Sequence, residues 1–288
     1  MHAINETLQG PIGVFDSGYG GLTILRQMQQ YLPQYDYLYL GDNARAPYGS
    51  HSFEVIYEYT LQAVEALFQR GCPLVILACN TASAKALRSI QQNDLERMDA
   101  SRRVLGVIRP TVEKVCDITR SKHVGVLATV GTVNSQSYNM ELHKLDPEIQ
   151  VTGQACPMWV PLVENFEYDS PGADYFVEKR IQEIMEKDAA IDTLILGCTH
   201  YPLLMHKIRK YVPQGVQVVS QGEFVSESLA DYLQRHPEME CRLSQGGRVQ
   251  YLTTESAEKF RESARLFMND AELCAERISL PVVQAEHE

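Results

Sequence analysis

Two cysteines of this 288-residue chain carry its clearest chemical signal. Cys79 lies in VILACNT (75–81) and Cys198 in LILGCTH (194–200). Each has an aliphatic run, a small residue, the cysteine and then two polar residues. A thiol with an ordinary pKa of about 8.5 is already partly thiolate at neutral pH. Both cysteines fall where a strand hands over to a helix, with helix starts expected at Ala82 and near Pro202. A helix N-terminus favours negative charge, so both thiols are expected to shift towards thiolate. Two thiols on opposite faces of one carbon suit a particular reaction. One removes a proton, the other returns one to the far face, and the product is the mirror image. Mirror images have equal free energy in water, so the expected chemistry is a reversible two-base racemisation that needs no cofactor.

The hard step is a carbanion beside a carboxylate. It calls for preorganised hydrogen-bond donors in a water-poor site and a proton-handling partner for each thiol. Asp16, in FDSGYGG (15–21), and His200, two residues after Cys198, are candidate partners. Ser17, Asn80, Thr81, Thr132, Thr199 and the backbone at Tyr48 and Gly49 are candidate carboxylate donors. None is cationic, but hydroxyls, amides and helix N-termini bind carboxylates. Asp16 also reads as a plain turn residue or helix N-cap. His200 also reads as a structural cap or half of a Cys-x-His metal pair; that pair lacks further ligands nearby, so no metal is expected. FDSGYGG superficially suggests a dinucleotide loop, but Thr23 stands where the third glycine of G-x-G-x-x-G belongs, so NAD is not expected. Pyridoxal phosphate would need only a lysine, which the chain has; paired thiols make it unnecessary. Cys72, Cys116, Cys156, Cys241 and Cys274 read as small hydrophobes. His2, His51, His123, His143, His206, His236 and His287 read as surface or partly buried residues.

These side chains need a frame. Strand-like runs at 12–17, 37–42, 74–80, 103–108, 124–129, 149–155, 193–199, 216–220 and 248–253 alternate with helical patterns, among them 22–31, 53–69, 82–91, 112–119, 173–187 and 203–211. The pattern predicts an α/β fold with doubly wound, mainly parallel sheets, in which ligands bind at the carboxyl ends of strands. Gly13 to Cys79 spans 66 positions and Gly125 to Cys198 spans 73, an echo that suggests two related lobes facing one cleft. The expected division puts 1–104 and 216–288 in the Cys79 lobe and 105–215 in the Cys198 lobe. The tail after Phe267 reads as a terminal helix and a frayed end.

Composition fits this frame. At 44% hydrophobic and 22% charged residues, the chain belongs with globular proteins, not with disordered or collagenous ones. Lys and Arg number 26 against 37 Asp and Glu, and a formal charge of −11 disfavours nucleic acid and anionic lipid as partners. The longest uncharged apolar run, 73–79, is too short to span a bilayer. MHAINETLQG (1–10) has no basic start or apolar stretch, so no signal peptide and a cytoplasmic address are expected. The seven cysteines are then expected to be reduced thiols, and the lack of any CxxC pair argues against structural zinc.

The segments FDSGYGG, GDNARAPYG (41–49), ACNTAS (78–83), ATVGT (128–132), CPMWVPLVE (156–164) and LGCTHYPLL (196–204) together closely resemble bacterial glutamate racemases, over nearly the whole chain. The resemblance implies two pseudo-symmetric domains with the active site between them, and Cys79 and Cys198 as paired acid/base thiols. Cys79 would act on D-glutamate and Cys198 on L-glutamate. It further implies Asp16, Glu164 and His200 as assisting groups, and Asp16, Ser17, Pro47, Tyr48, Gly49, Asn80, Thr81, Thr132, Thr199 and His200 as substrate-binding positions. D-glutamate for peptidoglycan, no cofactor and a homodimer follow from the same likeness. The chain departs from the family pattern at Asn43, Ala46, Arg109 and Val130, none of them a catalytic thiol. Alternatives are an aspartate or hydantoin racemase of the same fold, or a non-catalytic protein that inhibits gyrase.

Overall fold

A computed structural model describes residues 9–268 and 273–281. His2, His287 and most of the segment read for an export signal lie outside the described residues. The strands are β1 (Ile12–Asp16), β2 (Tyr37–Gly41), β3 (Leu74–Leu77), β4 (Arg103–Gly106), β5 (His123–Ala128), β6 (Gln150–Ala155), β7 (Thr193–Gly197), β8 (Gln217–Val219), β9 (Val249–Thr253) and β10 (Ala275–Arg277). Two sheets result, β10-β9-β2-β1-β3-β4 and β6-β5-β7-β8, with every pairing parallel. Strands β1, β2, β3 and β7 are buried at every position, as continuous apolar sequences without alternation require.

Helices cover both sheets, and their starts follow local chemistry. Ser52 accepts from the Val55 N–H to open the helix Phe53–Gln69. Ser170 accepts from the Ala173 N–H to open Pro171–Lys187, whose first residue is a proline that loses no helical hydrogen bond there. In the second lobe, Trp159 is fully buried and meets Tyr201 edge-on at 4.8 Å between ring centres.

The sheets place the crossings between lobes differently from the sequence expectation. β4 runs to Gly106 and pairs with β3 in the first sheet, so 105–106 belong there. β8 joins the second sheet, because pairing with β7 completes that open edge and buries Val219. The chain returns to the first sheet only through the helix Gly222–Arg235, which packs on Leu22–Tyr31. The tail also differs. After the helix Ala257–Met268, β10 adds to the edge of β9 with Ala275 opposite Tyr251. Ala-Glu-Arg has no alternating apolar pattern to announce a strand; the unpaired backbone edge of β9 recruits it.

Candidate active site

Strand register brings the chemistry together. In the first sheet Phe15 pairs with Leu77, so two residues further on Ser17 stands beside Cys79, with Oγ 3.3 Å from Sγ. Cys79 also caps the helix Asn80–Lys85, its sulfur accepting from the Ala82 N–H at 3.5 Å. In the second sheet Ala128 pairs with both Ala155 and Gly197, so Cys156, Thr129 and Cys198 follow at adjacent strand ends. The carboxyl ends of the two sheets face one cavity of about 210 Å³, lined by both Cys79 and Cys198. That is below the ~300 Å³ at which pockets for drug-sized ligands begin, a size suited to a small metabolite. The two thiols are 6% and 7% exposed, so the chemistry would proceed nearly dry.

The two thiols have different neighbours. On the Cys198 side, His200 Nδ1 lies 3.9 Å from the sulfur and its Nε2 lies 2.9 Å from Glu164 Oε1. Burial alone would lower the His200 pKa, but hydrogen bonds with Cys198 and Glu164 outweigh it and raise it to about 10. The same hydrogen bonds favour the protonated ring, and so positive charge, beside Cys198. On the Cys79 side the neighbour is a carboxyl group. Asp16 is buried, accepts from the Gly18 N–H at 2.9 Å and receives a 3.5 Å contact from the Thr199 hydroxyl. Burial raises the Asp16 pKa above its ordinary value, against the pull of His200. Burial likewise pushes the Cys79 thiol up to about 12, and Asp16 adds to the rise. This corrects the expectation of a depressed Cys79 pKa: desolvation outweighs a short helix end and the Ser17 hydrogen bond.

Lysine and arginine are absent from the cavity wall among the described residues; besides His200 and the thiols, its donors are hydroxyls, amides and backbone N–H groups. Tyr48 is held from behind, its hydroxyl donating to Asp42 Oδ2 at 2.5 Å, while Arg45 Nε reaches the same oxygen at 2.6 Å.

Residues 12–225 match the Asp/Glu/Hydantoin racemase family. The chain is 41% identical to a glutamate racemase of Ruegeria sp. (strain TM1040) over 89% of its own length and 96% of that protein. Its fold superposes on the crystal structure of a glutamate racemase isoform from Bacillus anthracis with a TM-score of 0.86 at 34% identity, covering 95% of this chain and 98% of that one. The glutamate racemase of Francisella tularensis, solved in complex with D-glutamate, gives 0.82 at 31% identity, covering 94% and 98%. The chain belongs to the Asp/Glu/Hydantoin racemase family. It is a racemase with the two-domain α/β fold of the glutamate racemases.

Of the residues singled out from sequence, Ser17, Pro47, Tyr48, Gly49, Cys79, Asn80, Thr81, Glu164, Cys198, Thr199 and His200 line the racemase cavity. Asp16 and Thr132 do not: Asp16 sits behind Ser17 and Gly18, and Thr132 sits behind Thr81, 3.3 Å from its hydroxyl. Thr129 and Cys156 line the wall unannounced. Thr129 bonds Thr81 across the lobes at 3.0 Å; its signal was its place in ATVGT, at the cap of Val130–Asn134. Cys241 and Cys274 are exposed, so the small-hydrophobe reading fails for both; it holds for buried Cys72 and for Cys156, which packs in the core and also borders the cavity. Of the departures, Ala46 and Val130 reach the cavity, while Arg109 pairs elsewhere, with Glu113 and Glu141. Among the described residues no cluster of three or more His, Cys, Asp or Glu side chains could hold a metal ion, and no helix is long and apolar enough to cross a membrane.

Proposed function

We propose that this racemase interconverts L- and D-glutamate by cofactor-free proton transfer at Cα between Cys198 and Cys79. From L-glutamate, the Cys198 thiolate takes the Cα proton, an S–H bond forms, and the C–H electron pair delocalises into the adjoining carboxylate. The Cys79 S–H then breaks as its proton bonds to the opposite face of Cα, leaving a Cys79 thiolate. From D-glutamate the same steps run in reverse. The Glu164–His200 pair serves Cys198 by holding positive charge beside it, and Asp16 serves Cys79. Ser17, Asn80, Thr81, Thr199 and the Tyr48–Gly49 backbone receive the carboxylates, with Pro47 as wall and Thr132 acting through Thr81. On the same family reading the D-glutamate enters peptidoglycan, the reaction runs in the cytoplasm and the working unit is a homodimer.

One observation carries this reading: two strand-end thiols, one from each sheet, line a single small cavity, with a histidine beside one and a buried aspartate beside the other. The test follows optical activity of single enantiomers with the purified protein. L-glutamate should decay to the racemate. Cys79→Ser and Cys198→Ser should each slow that decay by about 10³-fold while remaining folded. Near-native rates in either variant refute the two-thiol assignment. Turnover of L-aspartate or a hydantoin in place of L-glutamate would move the substrate, and no turnover of any would favour a binding protein.

A further inference from the structure

A ring of hydrogen bonds behind Cys79 joins elements of both lobes, and the roles of its members can be worked out from one end. The Val107 carbonyl can only accept, and it takes the Thr111 hydroxyl proton at 2.7 Å. Thr111 Oγ1 is then left to accept, and it faces Gln221 Nε2 at 3.0 Å, with Val107 O a longer third contact of that nitrogen at 3.4 Å. This orients the Gln221 amide, nitrogen towards Thr111 and oxygen away. Gln221 Nε2 also donates to the Tyr138 hydroxyl at 2.9 Å, so the Tyr138 proton goes to Asn80 Oδ1 at 2.7 Å. Asn80 Nδ2 closes the ring by donating to Gln221 Oε1 at 2.6 Å. Asn80, Tyr138, Gln221 and Thr111 are all buried. A flipped Asn80 would set carbonyl against carbonyl and leave buried groups unpaired. Asn80 also lines the cavity, directly after Cys79. Its Oδ1 and one Nδ2 hydrogen are committed to the ring, which leaves the second Nδ2 hydrogen as a donor for a ligand.

We propose that Gln221 is a positioning residue for the racemisation: it locks the Asn80 amide in the one orientation that leaves an N–H available to a substrate carboxylate. This rests on the reading of Asn80 as a glutamate-binding residue. Gln221 touches no reacting atom and acts through Asn80 and, around the ring, through Tyr138.

The experiment compares kcat and KM, in both directions, for the native enzyme, Gln221→Met, Asn80→Ala and the double variant, with thermal unfolding as a control. Gln221→Met should raise KM for both enantiomers about tenfold, the loss expected when one hydrogen bond to a carboxylate is no longer aimed, with kcat changed far less. The double variant should match Asn80→Ala alone, because the hydrogen bonds of Gln221, directly and through Tyr138, converge on Asn80. A near-native KM in Gln221→Met overturns the proposal, as does a double variant whose rise is the product of the two singles. A merely structural role would lower the melting temperature and the active fraction, hence apparent kcat, and leave KM unmoved. Should Gln221→Met fail to fold, Tyr138→Phe breaks the same ring with its bulk retained, and the same KM criterion applies. Native turnover of glutamate is read first. Its absence sinks the functional reading; turnover with an unmoved KM sinks only the role of Gln221.

Discussion

Glu164→Gln removes one carboxylate charge facing His200 and little else. In the native site His200 bridges Glu164 at 2.9 Å and Cys198 at 3.9 Å, and the pair lifts its pKa to about 10 against the effect of burial. A hydrogen bond to a charged group is worth about 1.5–3 kcal/mol. The Glu164 side chain is 26% exposed, and solvent screening favours the lower end, ~1.5 kcal/mol. At about 1.4 kcal/mol per pKa unit, the imidazolium should lose its proton roughly one pH unit earlier in the variant. On the two-thiol reading that imidazolium supports the Cys198 thiolate. The alkaline limb of kcat/KM should therefore fall near pH 10 in the native enzyme and near pH ~9 in Glu164→Gln. Circular dichroism of L- and D-glutamate between pH 7 and 11 would record both limbs. An unmoved limb, or one moved upward, would refute the role given to Glu164. Stability supplies a second readout. The folded pKa of His200 is raised above its ordinary value of about 6.5, so protonation favours the folded state. That contribution is complete below pH ~6.5 and is lost as pH rises through about 10. The native melting temperature should decline over that interval more steeply than that of the variant.

Two further outcomes are expected. Turnover in D₂O should place deuterium at Cα of the product enantiomer, because on the two-thiol proposal the proton delivered comes from a thiol that exchanges with solvent; product with full retention of protium would rule out proton transfer through Cys79 and Cys198. Gly20→Ala should lower the melting temperature by a few degrees and kcat/KM by more than about tenfold, since a Cβ there would meet Thr199 Oγ1 at 2.2 Å and His200 Nδ1 at 2.4 Å. An alanine variant with native kinetics would show that the FDSGYGG loop does not brace His200.

What the sequence revealed and what it hid follow from the range of each interaction. Aliphatic runs are local, and so are the residues that follow them, which is why Cys79, Asn80, Thr81, Cys198, Thr199 and His200 could be picked out as strand-end groups. Parallel register is not local. Nothing in VILACNT says that Phe15 will pair with Leu77 and so bring Ser17 to 3.3 Å from Cys79. Gln221 shows the limit most clearly. It is a lone amide after a short strand, and its meaning arises only where Asn80, Tyr138 and Thr111 converge on it from three other helices. The failed expectation for the Cys79 pKa has the same origin. A helix start can be read from sequence; complete burial beside Asp16 cannot, and burial is the larger effect.

The asymmetry of the two proton partners raises a thermodynamic question with a definite answer. Cys198 faces a buried histidine and Cys79 faces a buried acid, yet the two substrates are mirror images of equal free energy. The equilibrium constant of one obliges kcat/KM to be equal in the two directions, at every pH and in every variant. The inequality between the helpers can therefore only split the barrier differently between binding and turnover in the two directions. Burial holds the proton on Cys79, pushed up to about 12, and the raised pKa of His200 favours positive charge by Cys198. On the two-thiol proposal that form takes L-glutamate. On the same proposal D-glutamate meets the other form, with the proton gone from Cys79. The cost of reaching it appears as different kcat and KM values for the two enantiomers and never in their ratio. A fold of two similar lobes can thus carry dissimilar side chains at its two thiols without favouring either hand.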